Sequence, residues 1–308
     1  MTDMKRNLDS HETFNEDNMR ILNELSRSRN GESPLSLSDL IDRGTFDLEL
    51  ATWLMSHVSR GASFIVGAGP GGVGKTTTMR SLLSLVPSKL PFGIALPEKI
   101  ANTYTSPHCI ISHELSDHRP PGYLWGQDLR EFFNLSEQGH MLVGNMHVDD
   151  LDEAHGQICE SNDVPLIQFR SINLFIFLRV EGEDRSTRRI NNPSARRITN
   201  EIYYSDGVET HKLVYTCDKG LLENTLRDLD YETSCRAFLK DTLANLPLTI
   251  EETRHRFLDW EENHNNHQGR CKYWLRNFKG CIFSCQKCVF AHFQMSINVF
   301  KHNYRVVH

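Results

Sequence analysis

The stretch GAGPGGVGKTTT, residues 67–78, constrains the fold of this chain more than any other feature of its sequence. It contains the pattern G-x-x-x-x-G-K-T, preceded by a strand-like segment (ASFIVG) and followed by a helix-like one (KTTTMRSLLSLV). Glycines let successive backbone N–H groups point at one anion, and the helix adds the positive end of its dipole. We therefore predict a phosphate-binding loop. A turn that merely joins two elements is disfavoured because both flanking elements are present.

The loop residues are expected to bind a nucleotide together with a metal ion. Lys75 adds a positive charge at the outer phosphates, and the Thr76 hydroxyl is the expected ligand of Mg²⁺. ATP and Mg²⁺ are therefore the predicted ligands. The predicted binding residues are Gly69, Gly71, Gly72, Val73, Gly74, Lys75, Thr76 and Thr77.

Composition places the chain among ordinary globular proteins. Its 308 residues are 39% hydrophobic and 24% charged, which suits one large or two smaller domains. No run approaches the roughly 18 apolar residues of a membrane span. The N-terminus is polar and acidic, without the basic start and apolar stretch of a secretory signal. We expect a cytoplasmic protein without a transmembrane segment, and a position at the periphery of a membrane complex stays open.

Strand-like and helix-like segments alternate after the loop, a pattern typical of a mostly parallel sheet flanked by helices. The strand-like segments are FGIAL, CIIS and MLVGNMH, and the helix-like ones are GQDLREFFNLSEQG and DDLDEAHGQICES. Before the loop, apolar residues at helical spacing between Leu48 and Val58 predict one amphipathic helix. The predicted fold class is α/β, a P-loop NTPase with a small metal-stapled segment at its C-terminus.

The pattern changes after Pro165. Three strand-like pieces, LIQFRSINLFIFLRV, RRITNEIYYSD and HKLVYTCD, are predicted to extend or cap the sheet in antiparallel fashion. Residues 219–262 are predicted to be helical, most clearly in KGLLENTLRDL and SCRAFLKDTLANL. We divide the chain into a flexible or loosely helical lead-in (1–33), a P-loop ATPase domain (34–262) and a basic tail (263–308).

Hydrolysis of a bound nucleotide requires a carboxylate that orients the attacking water. Glu114 is the best candidate because it follows the apolar run CII, just past a predicted central strand, where open α/β sheets bind ligands. Asp117 lies three residues further on, and surface positions on a loop are the alternative for both. Gln127 and Asp128 are weaker candidates inside a predicted helix. His147, at the end of another strand, either contacts the phosphate or is an uninvolved, hydrogen-bonded histidine.

Several segments resemble, in order, those of the type II/type IV secretion ATPases, which power secretion systems, pili and archaeal flagella. The segment PLSLSDLIDRGTFDLELATWLMSHVSRGASFIVGAGPGGVGKTTT is similar to the start of their ATPase domain. ISHELSD resembles their Walker B segment and carries their catalytic glutamate onto Glu114. EQGHMLVGNMHVDDLDEA resembles their histidine box, with Gly139, His140 and His147 at the matching positions. LPEK resembles their acidic box, with Glu98 as its carboxylate.

This resemblance implies ATP hydrolysis in which Glu114, Lys75 and His147 are the catalytic residues. It also implies coupling to a protein partner and assembly into a homo-oligomeric ring. His113 and Ser116 stand where the family has glycine and arginine, so we expect nucleotide binding together with slow hydrolysis. The alternative function is a nucleic-acid-binding protein whose nucleotide-binding domain is regulatory or degenerate.

The basic tail carries a cluster of cysteines. Residues 263–308 contain no Asp or Glu, which favours nucleic acid or another anion as a partner, with a solvated tail as the alternative. The spacing C-x9-C-x6-C-x3-H resembles a Cys-Cys-Cys-His zinc finger. It predicts Zn²⁺ bound by Cys271, Cys281, Cys288 and His292.

Cys285 leaves the zinc ligand set open, because it is placed to replace Cys281 or Cys288. The same cysteines would also suit an iron–sulfur cluster, or they would be buried thiols that bind no metal. Aromatic and basic residues lie between the cysteines, and that mixture suits stacking on unpaired bases and pairing with phosphates.

Overall fold

The computed structural model describes residues 15–25, 35–100, 104, 106–118, 122–182 and 188–267. The cysteine cluster, including every predicted zinc ligand, lies outside these residues. The first helix, α1 (residues 15–25), falls within the predicted lead-in, and its Leu22 is buried in the hydrophobic core.

Two further helices precede the loop, one more than the apolar spacing predicts. They are α2 (Leu37–Asp42) and α3 (Leu48–Val58). Ser36 begins α2 with a capping box, in which its hydroxyl accepts from the Asp39 N–H and the Asp39 carboxylate accepts from the Ser36 N–H. Asp47 begins α3, since its carboxylate accepts from the Leu50 N–H at 2.7 Å. The two caps explain why this segment forms two helices.

A ten-stranded sheet runs through the described part of the chain, in the order β10-β9-β8-β7-β1-β6-β3-β2, with β4 paired to both β6 and β5. The first five strands are β1 (Phe64–Gly67), β2 (Phe92–Ile94), β3 (Cys109–Ile111), β4 (Glu114–Leu115) and β5 (Tyr123–Leu124). The others are β6 (Met141–Met146), β7 (Leu174–Val180), β8 (Arg197–Tyr204), β9 (Lys212–Thr216) and β10 (Gly220–Leu221). Strands β7, β1, β6, β3 and β2 are parallel, whereas β8, β9 and β10 continue the sheet antiparallel.

Helices cover both faces of this sheet, which confirms the mixed α/β class. They are α4 (Lys75–Leu83), α5 (Gln127–Asn134), α6 (Leu151–His155), α7 (Leu166–Arg170), α8 (Leu229–Ala244) and α9 (Ile250–His267). Val66 and Val143 face one hydrophobic core with α3, α4 and α8, while Ile65 and Leu142 face a second core with α5 to α7. Because both faces of the central strands are buried, β1 and β6 read as continuous apolar runs.

Two predicted elements after Pro165 are wrong in part. The residues LIQFR form α7 instead of the start of a strand, and only the following apolar run forms β7. KGLLENTLRDL is not a helix, because its first residues form β10 and the Leu222 N–H donates to Val214 O at 2.8 Å. Helix α8 begins only after Asp228, whose carboxylate accepts from the Tyr231 N–H. Pairing with the sheet edge therefore overrides the helical spacing of these leucines.

Two buried arginines connect helix α4 to helices α1 and α9. Arg80 donates through Nη1 to Leu25 O, the last residue of α1, at 2.6 Å. Arg254 of α9 donates to Ser84 O at 3.3 Å and also to Val86 O, just past the end of α4. These bonds satisfy carbonyls that a helix C-terminus leaves without partners, and they fix the helix that follows the predicted loop.

Candidate phosphate-binding site

The predicted loop joins β1 to α4 at the carboxyl edge of the parallel strands. From β1 the chain crosses to the far strand β2, and it later returns to β6 and β7 on the two sides of β1. Such a reversal of strand order opens a crevice in which α/β proteins bind ligands. Strands β3 and β6 end beside it and lead to Glu114 and His147. The topology thus brings together Glu114, His147 and Lys75, the three predicted catalytic residues.

Five consecutive backbone N–H groups, from Gly72 to Thr76, donate to no acceptor among the described residues. Gly72 and Gly74 have φ values of 81° and 108°, in the left-handed region that favours glycine. Helix α4 begins at Gly74 without a side-chain cap, so its first N–H groups stay open to an anion. The Thr76 side chain is exposed in the first turn, where a ligand can reach it, and Thr77 is half-buried.

Lys75 is buried at the centre of this site. Its Nζ donates to Ala68 O at 3.1 Å and lies 3.1 Å from His147 Nδ1. Burial lowers the pKa of Lys75, and the nearby carboxylates of Glu114 and Asp149 oppose that shift by raising it. The ammonium group is therefore held close to the loop by a carbonyl and lies in the field of two carboxylates, and a phosphate would add a further anionic partner.

Glu114 lies on β4, and its residue is only 6% exposed. Its Oε1 is buried and has no hydrogen-bond partner among the described residues. Burial raises the pKa of Glu114, whereas the charges of Lys75, His147 and His118 lower it. A buried acceptor without a donor is costly in a folded protein and commonly marks a catalytic group or a bound water.

His147 connects the loop to Glu114. Its Nδ1 lies 2.9 Å from Gly69 O as well as close to Lys75, and its Nε2 lies 3.8 Å from Glu114 Oε1. Since Nδ1 either donates to the carbonyl or accepts from the ammonium, only one of these two bonds forms in a given tautomer. In either tautomer the ring lies between the loop and Glu114, and only a protonated Nε2 can donate toward Glu114 Oε1.

Asp149 is a residue at the loop that sequence reasoning missed. Its Oδ1 accepts from the Gly69 N–H at 2.7 Å, and its own N–H donates to Glu153 Oε2 at 2.8 Å. A Cβ atom on Gly69 would lie less than 3.0 Å from this carboxylate, closer than real Cβ atoms approach a neighbour. The first glycine of the motif is thus required by Asp149. The available signal was the acidic pair that follows His147 by two residues.

Residues 188–197, which lead into β8 and include its first residue, contact the loop and are called the strap below. Its backbone makes a two-way contact with Gly71, whose N–H donates to Arg188 O at 3.0 Å and whose carbonyl accepts from the Ile190 N–H at 2.8 Å. Arg197 donates to Gly72 O through Nε at 3.2 Å and Nη2 at 3.1 Å. No motif in the strap sequence indicated this contact.

Asn145 is another polar residue near the site that was not predicted. It is completely buried on β6, its Nδ2 donates to His113 O at 3.0 Å, and its Oδ1 has no partner among the described residues. An amide within an otherwise apolar central strand was the signal available for it. The His113–Glu114 turn is therefore tied to the strand that leads to His147.

The remaining predicted candidates lie elsewhere. Gln127 and Asp128 begin α5, and the Asp128 carboxylate accepts from the Glu98 N–H at 2.7 Å. Asp117 is exposed and lies 3.2 Å from His118 Nδ1. None of these side chains makes a contact with the loop within the described ranges.

Gly139 and His140 precede β6, whereas His147 follows it. The segment that resembles the histidine box therefore has its two ends at opposite ends of one strand. His140 Nδ1 accepts from the His108 N–H at 3.1 Å. Burial and the neighbouring His108 lower the pKa of His140. These contacts give His140 a local structural role, and of the residues matched to that box only His147 reaches the loop.

Among the described residues, no group of three or more His, Cys, Asp or Glu side chains is placed to hold a metal ion. The predicted zinc ligands are not among those residues. No helix in the part of the chain that the structure describes has the length and apolar character needed to cross a membrane.

Comparison with known proteins gives a limited result. No family model matches the chain, and no curated protein matches it. The VirB11 ATPase from the Brucella suis type IV secretion system, solved in complex with sulphate, is a structural match with a TM-score of 0.31 and 18% identity. The match covers 49% of this chain and 50% of the VirB11 chain, so this chain spans about half the length of that ATPase. A likeness of this extent does not identify a family.

Proposed function

We propose that the chain binds Mg²⁺-ATP at the loop formed by residues 69–77 and hydrolyses it slowly. One observation carries the proposal, namely the row of five backbone N–H groups, from Gly72 to Thr76, that have no acceptor among the described residues and that include the N–H of the buried Lys75. A row of N–H groups at the start of a helix, next to a fixed cation, is complementary to the oxygens of a di- or triphosphate. The orphaned Glu114 carboxylate extends the proposal from binding to hydrolysis.

The residues present fit the proposed ligands. Thr76 is exposed in the first turn of α4 and would hold Mg²⁺, which would neutralise part of the phosphate charge. Glu114 would accept a hydrogen bond from the attacking water, and His147 would keep its ring between that carboxylate and the loop. Burial raises the pKa of Glu114, so at a given pH a smaller fraction of this carboxyl is ionised than of an exposed glutamate. This reduces the active fraction and supports slow turnover.

A test compares wild type with Lys75→Ala and Glu114→Gln, using equilibrium titration with a fluorescent ATP analogue and a phosphate-release assay. We expect Lys75→Ala to lose binding and Glu114→Gln to keep binding while release falls by about 10²–10⁴-fold. Asp117→Asn is the matched control, because this carboxylate lies close in sequence and has no contact with the loop. Equal release by wild type and Glu114→Gln would reject Glu114 as the catalytic carboxylate.

We also propose, from the sequence pattern alone, that Cys271, Cys281, Cys288 and His292 bind Zn²⁺ and that the basic tail binds single-stranded nucleic acid. Metal analysis of the full chain should find one zinc per chain, reduced in Cys271→Ser. Salt-dependent binding of an RNA oligomer should weaken when the basic tail is removed. Unchanged binding by the truncated chain would remove the nucleic-acid proposal and leave a protein partner or a second copy of the chain, which native mass measurement distinguishes.

A further inference from the structure

The glycine-rich loop is supported from behind by the strap. Two carbonyls of the loop accept hydrogen bonds from the strap. Gly71 O accepts from the Ile190 N–H. Gly72 O accepts two hydrogen bonds from the Arg197 guanidinium, one from Nε and one from Nη2. A Cβ on Gly74 would lie 3.5 Å from Arg197 Cδ, so the side chain lies against the loop at Gly74 as well as at Gly72.

The Arg197 head group contacts only backbone carbonyls among the described residues. Besides Gly72 O, it donates to Ala195 O at 2.7 Å, Pro193 O at 3.1 Å and Asn192 O at 3.3 Å. No carboxylate of the described residues forms an ion pair with it. The strap therefore holds a half-buried cation in one orientation, and the positive charge stays unneutralised behind the loop.

The carbonyl that Arg197 binds belongs to the same peptide unit as the Val73 N–H. A charged donor on that carbonyl draws electron density from the peptide and makes its N–H a stronger donor, because hydrogen bonds in a chain polarise one another. The same bond fixes the rotation of the peptide plane. Val73 is the residue between the two glycines with positive φ, where the plane is otherwise free to turn.

We propose that Arg197 is a positioning residue for phosphate binding, which orients and polarises the Gly72–Val73 peptide so that the Val73 N–H binds a phosphate oxygen. The proposal rests on the nucleotide-binding function proposed above and adds a residue that lies 125 positions from the motif. Lys75 meets the phosphates directly, whereas Arg197 acts through the loop backbone.

Titration of Mg²⁺-ATP against the full chain tests this role. Arg197→Ala should raise the Kd about tenfold or more, the size expected for loss of a charge-assisted hydrogen bond. Arg197→Lys keeps the charge but lacks the fork, so it should recover only part of the affinity. Arg196→Ala is the matched control, because Arg196 is exposed and pairs with Glu181 at 3.2 Å; its Kd should stay within about twofold of wild type.

Two readouts separate positioning from a general loss of structure. Millimolar guanidinium should restore part of the ATP affinity of Arg197→Ala and should leave Arg196→Ala unchanged. In ATP-bound protein labelled with ¹⁵N-valine, the Val73 amide proton should move upfield in Arg197→Lys, because its hydrogen bond weakens. Arg197→Lys keeps the charge and most of the packing, so it remains informative if Arg197→Ala does not fold.

The outcomes are distinct. If wild type binds ATP and both Arg197→Ala and Arg197→Lys have the wild-type Kd, the role of Arg197 is overturned and the proposed function stays intact. Absence of ATP binding by wild type would overturn the proposed function and this inference with it. An unchanged Val73 resonance in Arg197→Lys would also reject the positioning role.

Discussion

Replacing Gly72 with alanine should separate the loop from the strap. A Cβ at this position would lie less than 3.0 Å from Ile190 O, so the strap backbone would have to move by several tenths of an ångström. That movement strains the Ile190–Gly71 bond and the two bonds from Arg197 to Gly72 O. A neutral hydrogen bond contributes about 1 kcal/mol, and the two Arg197 donors share one carbonyl and count together as one charge-assisted contact of about 2 kcal/mol, which gives a loss of about 3 kcal/mol.

Gly207 supplies the matched control for the backbone cost. Its φ of 88° resembles that of Gly72, but a Cβ there would meet nothing within 4 Å. Alanine at either position adopts a positive φ at about 1 kcal/mol. Gly207→Ala should therefore lose about 1 kcal/mol and Gly72→Ala about 4 kcal/mol, the difference being the contact with the strap.

Thermal unfolding and ATP titration measure the two parts of this prediction. At about 2–4 °C per kcal/mol for a chain of this size class, the Tm should fall by about 2–4 °C in Gly207→Ala and by about 8–16 °C in Gly72→Ala. Only Gly72→Ala should lose ATP affinity. Equal Tm shifts in the two variants, or wild-type affinity in Gly72→Ala, would refute the reasoning that couples the loop to the strap.

Three further predictions concern ionisable groups. Glu114→Gln should gain stability relative to wild type as pH rises, because burial raises the pKa of Glu114 and the folded wild type therefore ionises this carboxyl at a higher pH than the unfolded chain does. The same difference in denaturant midpoint between the two proteins at pH 5 and at pH 8 would contradict this. Asp149→Asn should keep the bond to the Gly69 N–H and bind ATP more tightly, because a negative charge is removed, whereas Asp149→Ala should lose ATP affinity. Calorimetric titration of ATP against the two variants measures this difference. Burial lowers the pKa of His57 and of His211 to about 4, so the unfolded chain binds more protons than the fold between pH 6.5 and 4, and stability should fall with acid by up to about 3 kcal/mol per ring. Urea unfolding of His211→Phe should show a smaller loss on acidification than wild type.

The loop, β1 and α4 were predictable because all the signals lie within one short stretch. Glycines, a lysine and the flanking apolar runs each indicate the same strand–loop–helix unit, and the alternating elements after it indicate a parallel sheet. The proximity of Glu114 and His147 to Lys75 followed from placing both at carboxyl ends of central strands. Their catalytic roles stay predictions.

Arg197 was not predictable from local pattern. The bond from Arg197 to Gly72 O joins residues 125 positions apart, and it exists only because β7 lies next to β1 and β8 turns back beside β7. Neither strand order nor hairpin geometry is encoded in a window of a few residues. The error at KGLLENTLRDL has a different cause, because the neighbouring strand β9 supplies the hydrogen-bond partner that makes the first of these residues form β10.

The central claim is that backbone N–H groups and Lys75 form a phosphate site for a nucleotide. Equilibrium titration of Mg²⁺-ATP with wild type and Lys75→Ala, in the same buffer, tests it most directly. Saturable binding by wild type that Lys75→Ala weakens at least tenfold is the predicted result. Absence of saturable binding by wild type, or equal affinity in the two proteins, would contradict the claim.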